Sequence, residues 1–206
     1  MFIIDKLNLD IDKSLYLKQF EVKKIISTEQ NNDKSQHDEV PSFDEYLKKC
    51  KKTFGGNSKE FLVAKFYDEL TVRDDFGLIL TDKPLDKTNY LLVKPKSIEI
   101  VINNYKTDKK HGVISHTLTK ALEKLTRAYI ATNHLKMGDF LFGSEHLSSF
   151  VSKMNKTLGY SSGVGLFRHM KITEQSENST PEQRVVLAAA MAHSPVVQLK
   201  YLRKKK

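Results

Sequence analysis

The sequence contains one cysteine, Cys50, and no long run of apolar residues. A single thiol excludes a framework of internal disulfides and is typical of a reducing compartment. The longest apolar run, 185–192, has eight residues, whereas a helix that crosses a membrane needs about 20. The first residues, 1–5, lack the basic and then apolar layout of a signal peptide. These absences predict a soluble, intracellular protein with no membrane partner.

Arginine is also scarce, because only five of the 34 basic residues are Arg. The chain has 25 Asp and Glu residues, so its formal charge is +9, which indicates an anionic partner. Arg holds phosphate or carboxylate with a two-pronged guanidinium, whereas Lys is a point charge. Each Arg is therefore a separate candidate for binding an anion, although most are expected to be solvated. The five are Arg73, Arg127, Arg168, Arg184 and Arg203.

The 206 residues are 39% apolar and 29% charged, which is typical of a globular protein with about one domain. A loose apolar stripe predicts a helix over about 11–27, and the polar stretch 28–40 predicts a linker. Ser42 and Glu45 have the spacing of a capping box, so a helix is expected to begin there and to run toward Lys52.

The second part of the chain is expected to contain helices and a small sheet. Ser58 is expected to cap a mostly buried helix that reaches Leu70. The β-rich segments are 78–81, 89–93, 97–103 and 113–114. Helices are then expected over 118–132, 143–158, 163–173 and 181–193, and from about 196 to the end. The predicted fold class is α+β, mainly helical, with a three-stranded antiparallel sheet packed against helices.

Several common enzyme chemistries lack their motifs here. There is no Walker loop, no Gly-x-Gly-x-x-Gly fingerprint and no Gly-x-Ser-x-Gly elbow. Four histidines lack the spacing and the acidic neighbours of a zinc site, and a loop or surface position is expected for each. They are His111, His116, His134 and His146. No metal and no nucleotide cofactor is therefore expected.

Five residues of other types are spread along the chain, namely Arg73, Lys106, Arg168, His193 and Tyr201. With their neighbours they resemble the catalytic domain of tyrosine recombinases, in order and in approximate spacing, over roughly 57–206. The quoted strings are Glu-Leu-Thr-Val-Arg-Asp-Asp-Phe at 69–76, Asn-Asn-Tyr-Lys-Thr at 103–107, Leu-Phe-Arg-His at 166–169 and Met-Ala-His-Ser at 191–194. Tyr201 follows this last His by eight residues, one fewer than is commonest in the family.

The resemblance implies site-specific DNA cleavage and rejoining through a 3′-phosphotyrosyl intermediate. A phenol of pKa about 10 is ionised at roughly one part in a thousand at pH 7, so the phosphate must be neutralised and a proton accepted. By the resemblance, Arg73 and Arg168 neutralise the phosphate, and Lys106 protonates the leaving 5′ oxygen. His193 then hydrogen-bonds the phosphate, and Tyr201 is the nucleophile. Because Arg168 lies in an apolar helical stripe, it is expected to need a buried anion.

The partners that the resemblance implies are double-stranded DNA and further copies of the chain, as a dimer to tetramer on DNA. The implied location is at DNA in the cytoplasm or nucleus of a host, and the Lys-rich composition suggests a virus or mobile element. Residues 1–56 are expected to be a reduced or truncated helical N-terminal segment, and 57–206 the catalytic domain. The basic tail is expected to contact the DNA backbone, through Arg203, Lys204, Lys205 and Lys206.

One position departs from the family pattern, because Gly165 stands where the family usually has a His three residues before the second Arg. The loss of one general acid or base costs about 10²- to 10⁴-fold in rate, so weakened cleavage is expected rather than none. Other interpretations stay open. They are a type IB topoisomerase-like enzyme that relaxes supercoils, a DNA-binding protein of the same fold that lost cleavage, and a basic helical regulator without catalytic ancestry.

Overall fold

The computed structural model describes residues 39–72, 76–105, 108–143 and 146–176, together with 180, 183, 204 and 205. The predicted helix over 11–27 and nearly all of the predicted linker lie outside these residues. The same holds for nearly all of the two helices predicted after residue 180. None of the helices within the described ranges is long and apolar enough to cross a membrane.

The described structure contains five helices of ten residues or more. They are α1 (Phe43–Phe54), α2 (Lys59–Glu69), α4 (Lys120–Thr132), α5 (Ser148–Thr157) and α6 (Gly165–Ser176), and a short helix, α3 (Asp108–His111), precedes α4. The strands are β1 (Glu39–Val40), β2 (Ile79–Thr81), β3 (Tyr90–Val93), β4 (Ile98–Ile102), β5 (Ile114–Thr117) and β6 (Lys204–Lys205). The α+β class is therefore confirmed.

The two predicted helix starts are confirmed, since each depends on a local side chain. Ser42 Oγ accepts from Glu45 N at 3.2 Å, and Ser42 N donates to the Glu45 carboxylate at 3.0 Å, which completes the capping box of α1. Ser58 Oγ accepts from Phe61 N at 3.1 Å at the start of α2. Gly55 ends α1 with a φ of 90°, a left-handed conformation that favours glycine.

The main sheet has four strands in the order β2-β3-β4-β5. The pairs β3–β4 and β4–β5 are antiparallel, whereas β2 pairs with β3 in parallel, with Ile79 opposite Tyr90. The predicted antiparallel arrangement is therefore confirmed for β3, β4 and β5. The predicted number of three strands is wrong, because β2 joins the sheet as a fourth strand in parallel. A parallel pair requires the chain to go back to the starting end of β2 before β3 begins. Because a three-residue strand is only about 7 Å long, the short connection 82–89 can span this distance.

The other edge of β2 is also paired. Leu80 N donates to Asp139 O at 2.9 Å, and Gly138 N donates to Leu80 O at 2.8 Å. These bonds come from the chain that follows α4, which no local pattern near β2 could indicate. As a result, β2 is hydrogen-bonded on both sides and is not an open sheet edge.

One apolar core joins α1, α2, α5 and α6 to the sheet. At its centre the ring of Phe167 stacks on Tyr67 with 4.4 Å between ring centroids, and Tyr46 meets Phe167 edge-on at 5.4 Å. Side chains of α1 thus share a core with segments beyond residue 57. The boundary after residue 56 stays a prediction, but α1 packs as part of the same compact unit, 39–206.

Two predicted helices end or begin elsewhere. The helix expected from 143 begins at Ser148, because Gly143 has a φ of 70°, which does not fit a right-handed helix. The helix expected to run to the end of the chain does not include β6, which pairs in parallel with β1, Glu39 opposite Lys204. A continued helix would set Lys204 one turn from Lys200, and like charges at that spacing are unfavourable.

Candidate functional site

Arg168 is the one predicted catalytic residue within the described part of the chain. The others, Arg73, Lys106, His193 and Tyr201, lie outside it, as do Arg203 and Lys206. Lys204 and Lys205 are described by their backbone. The meeting of the five residues around one phosphate therefore stays a prediction, and the structure defines the surroundings of Arg168.

Arg168 lies on α6 and is buried, with 5% of its surface exposed. The expectation that it belongs to an apolar stripe is confirmed, because its neighbours Leu166, Phe167 and Met170 are buried as well. A charged side chain is rarely so buried unless its charge is compensated. The position thus suits a guanidinium that is held rigidly beside an anion.

The helix α6 is fixed on both sides of Arg168. Phe167 stacks on Tyr67 of α2, as described above. One turn after Arg168, Lys171 Nζ donates to the main-chain oxygen of Asp68 at 2.8 Å and lies 3.6 Å from its carboxylate. These contacts join α6 to α2 on both sides of Arg168.

The last turn of α2 is a junction between α6 and the sheet. The Glu69 carboxylate accepts hydrogen bonds from Thr119 N at 2.6 Å and Thr119 Oγ1 at 2.5 Å, and it lies 3.0 Å from His116 Nε2. Thr119 is the N-cap of α4, and His116 belongs to β5. The chain then continues through the buried Val72, the residue directly before Arg73.

Sequence reasoning missed the roles of these junction residues. Glu69 stands in the sequence only within the string before Arg73, and the sequence predicts a loop or surface position for His116. In the structure, His116 belongs to a strand and only about a third of its side chain, 33%, is exposed. The contact with Glu69 joins residues 47 positions apart. No local signal marks such a pair.

Gly165 is the first residue of α6, one turn before Arg168, and it is exposed. A Cβ atom added there would meet no atom within 4 Å, and its φ is not left-handed. Neither packing nor backbone conformation therefore requires glycine at this position. A larger side chain would fit there, on the same side of the helix as Arg168.

The turn before α6 is held by a buried amide. Asn155 Nδ2 donates to the main-chain oxygens of Ser162 at 2.7 Å and Gly163 at 3.1 Å, and Asn155 Oδ1 accepts from Tyr46 Oη at 2.6 Å. Burial is the main cause that raises the pKa of the Tyr46 phenol, so the hydroxyl stays protonated as a donor. This network connects α1 and α5 to the start of α6.

The C-terminal strand β6 lies beside both β1 and α6. Lys204 is the third residue after Tyr201. Three residues of chain span at most about 11 Å, so the distance along the backbone from Tyr201 to β6 is short. No group of three or more His, Cys, Asp or Glu side chains among the described residues could hold a metal ion.

Comparisons of this chain with models of protein families, with curated proteins and with solved structures find no match. The resemblance to tyrosine recombinases therefore depends on the residues and strings quoted above.

Proposed function

We propose that this protein cleaves and rejoins DNA strands by the tyrosine recombinase mechanism. In this mechanism Tyr201 Oη gives up its proton to water, attacks the scissile phosphorus and forms a phosphotyrosyl bond on the 3′ side. The bond from phosphorus to the 5′ oxygen breaks, and Lys106 supplies the proton that this oxygen needs. Arg73, Arg168 and His193 hold the phosphate oxygens. Attack by a 5′ hydroxyl reverses the step and rejoins a strand.

The observation that carries the proposal is the position of β6 beside α6. It brings the end of the chain, three residues after the proposed nucleophile, to the helix that bears Arg168. The side chains of Tyr and Arg each reach several ångströms from the backbone. We therefore propose that a phosphate bound by Arg168 lies within reach of Tyr201.

The burial of Arg168 supports the same chemistry. A guanidinium in a site of low dielectric, held on a fixed helix, stabilises the developing negative charge of a phosphorane without reorganising. An exposed Arg would be screened by water and salt. Arg168 thus has the environment expected of the second phosphate-binding arginine.

A nicked suicide substrate tests the proposal. The wild-type protein, with chelator in place of magnesium, should form a covalent complex on the 3′ side, which is detected as a shifted band after denaturation. Tyr201→Phe should form none, whereas Tyr160→Phe, a matched change at a half-buried tyrosine elsewhere, should react like the wild type. Trapping by Tyr201→Phe would refute the assignment of the nucleophile.

Arg168→Ala separates catalysis from binding. The covalent complex should be lost, while affinity for the intact duplex should fall only modestly. Because a cavity in the core could also unfold the variant, Arg168→Lys provides a second measurement that keeps the charge but not the two-pronged geometry. Trapping by both variants at the wild-type rate would contradict the role of Arg168.

A second candidate function is DNA binding without cleavage, and Gly165 is the observation that favours it. The position lacks the usual imidazole although a side chain would fit there. A wild-type protein that binds DNA with steep salt dependence but never forms the covalent complex would establish this second function instead.

A further inference from the structure

Two segments of the chain hold its entire excess of positive charge. Residues 47–59 and 146–173 together contain nine Lys and Arg residues and no Asp or Glu. Subtracting these nine from the 34 basic residues leaves 25, which equals the number of Asp and Glu residues in the whole chain. The rest of the sequence is therefore neutral in formal charge.

The fold brings these two segments together. The first is the second half of α1 with the turn that follows, and the second runs through α5 and α6. Tyr46 of α1 donates to Asn155 of α5, as described above. Next to this contact, Lys49 Nζ lies 4.9 Å from the ring centre of Tyr160 and 3.7 Å from the position of a Cβ at Gly159. The cationic part of α1 thus adjoins the end of α5.

Four exposed lysines lie on the two helices that meet at this junction, and we call them together the lysine face. It consists of Lys49, Lys52, Lys153 and Lys156. Lys49 and Lys52 lie one turn apart on α1, and Lys153 and Lys156 lie one turn apart on α5. In the described part of the chain, none of these four ammonium groups forms an ion pair.

Within α1 and α5, the carboxylates are those of Asp44 and Glu45, both in the first turn of α1. Glu45 lies one turn before Lys49 on α1, and its carboxylate already accepts a hydrogen bond from Ser42 N. Asp44 belongs to the first turn of the same helix, at the opposite end from Lys52. The ammonium groups therefore attract mobile anions from solution, and a polyanion that displaces those anions gains free energy from their release.

We propose that the lysine face, which contains none of the predicted catalytic residues, binds the phosphate backbone of duplex DNA. The choice of DNA as the polyanion rests on the proposed function. The face contains lysines and no exposed arginine, and a point charge holds phosphate without the planar fork that reads guanine edges. This surface thus positions the duplex and contributes affinity that does not depend on sequence.

The proposal predicts how much the salt dependence of DNA binding should change when the lysines are removed. Each phosphate neutralised contributes about 0.9 to the slope of log affinity against log salt concentration. If the four lysines each contact a phosphate, their removal lowers this slope by about 3 to 4. Affinity at moderate salt should then fall at least about tenfold.

The experiment compares two variants of the full chain with the same loss of charge. One carries Lys49→Ala, Lys52→Ala, Lys153→Ala and Lys156→Ala. The control carries Lys83→Ala, Lys96→Ala, Lys124→Ala and Lys136→Ala, which change four lysines that are also exposed but lie outside α1 and α5. Binding to a short duplex of unrelated sequence is measured by fluorescence anisotropy between about 50 and 200 mM salt.

The expected result is a reduced slope and weakened binding for the face variant, with the control close to the wild type. Equal slopes for the two variants would overturn the proposal, because net charge and not this surface would then set the affinity. Binding of polyglutamate that depends on the face, with unchanged binding of DNA, would indicate an acidic protein as the partner and would also overturn it. If circular dichroism shows that the alanine variant is unfolded, a variant with the same four lysines changed to glutamine is measured in its place.

This outcome is separate from that of the cleavage test. A face variant that loses affinity, together with a wild type that never forms a covalent complex, supports the lysine face and refutes the cleavage. Conversely, a wild type that forms the complex and a face variant with unchanged salt dependence refutes only the lysine face.

Discussion

Replacing Tyr46 with Phe removes one hydroxyl group from the contact that joins α1, α5 and the start of α6. Tyr46 Oη donates to Asn155 Oδ1 at 2.6 Å, and both side chains are fully buried, with 0% exposed. Phe has nearly the same shape as Tyr, so almost no cavity forms. The substitution therefore leaves the amide oxygen of Asn155 buried without this donor and isolates the contribution of one hydrogen bond.

The expected loss follows from that geometry. A buried acceptor that loses its partner costs about 1–3 kcal/mol in the free energy of unfolding. For a folded unit of this size, each kcal/mol lowers the Tm by about 2–4 °C. Tyr160→Phe is the matched control. The ring of Tyr160 stacks on Tyr46 with 5.6 Å between centroids, and its hydroxyl makes no hydrogen bond within the described residues, so a change below about 0.5 kcal/mol is expected.

Urea denaturation followed by circular dichroism measures these differences. A double-mutant cycle with Asn155→Ala should give a coupling free energy of about 0.5–3 kcal/mol, because the two side chains contact each other directly. A Tyr46→Phe variant as stable as the Tyr160→Phe control, or a coupling of zero, would refute the inference that this hydrogen bond holds α1 to α5.

Three further predictions concern a thiol, a carboxylate and Gly165. Cys50 is fully buried, and burial raises the pKa of its thiol to about 12. Iodoacetamide should therefore label this thiol slowly in the folded protein and rapidly in denaturant, as measured by mass spectrometry. Rapid labelling of the folded protein would contradict the burial of Cys50. Hydrogen bonds from Ser115 and then Lys94 lower the pKa of Glu99 below its ordinary 4.5, so this carboxylate stabilises the fold above about that pH and ceases to do so as the pH falls. Glu99→Gln should accordingly lose less stability than the wild type between about pH 7 and pH 3 in urea titrations, and an equal loss would refute this. Gly165→His should raise the rate of covalent complex formation, with an upper limit of about 10⁴-fold. Gly165→Ala should leave this rate unchanged.

The helix starts were predictable because their cause is local. Ser42 and Ser58 each cap a helix through a contact three residues away, which the sequence displays directly. The direction of β2 was not predictable, because its second edge is paired with Gly138 and Asp139, far along the chain. Likewise, the strand β6 exists through its pairing with Glu39 and Val40 near the other end of the same unit.

The same distinction applies to the candidate site. The burial of Arg168 could be predicted from the apolar residues around it, because Leu166, Phe167, Met170 and Ile172 occupy several sides of the helix and a helix that is apolar on most sides is buried. The pair of Lys171 and Asp68 joins positions 103 residues apart, and Glu69 reaches Thr119 across 50 positions. Such contacts depend on how α2, α6 and the sheet are stacked, and helical periodicity alone does not give that arrangement.

The two proposed functions lead to different expectations for a side chain at position 165. If packing excluded a side chain, the glycine would be a structural requirement and would say nothing about catalysis. A Cβ at this position meets nothing within 4 Å, however, and the backbone is not left-handed, so the fold accepts a histidine there. A gain of cleavage in Gly165→His would show that the other catalytic groups are in place and that the imidazole is the missing part. If the wild type and the folded variant both bind DNA and neither forms a covalent complex, the defect lies elsewhere in the site. DNA binding without cleavage would then be the better description of this protein.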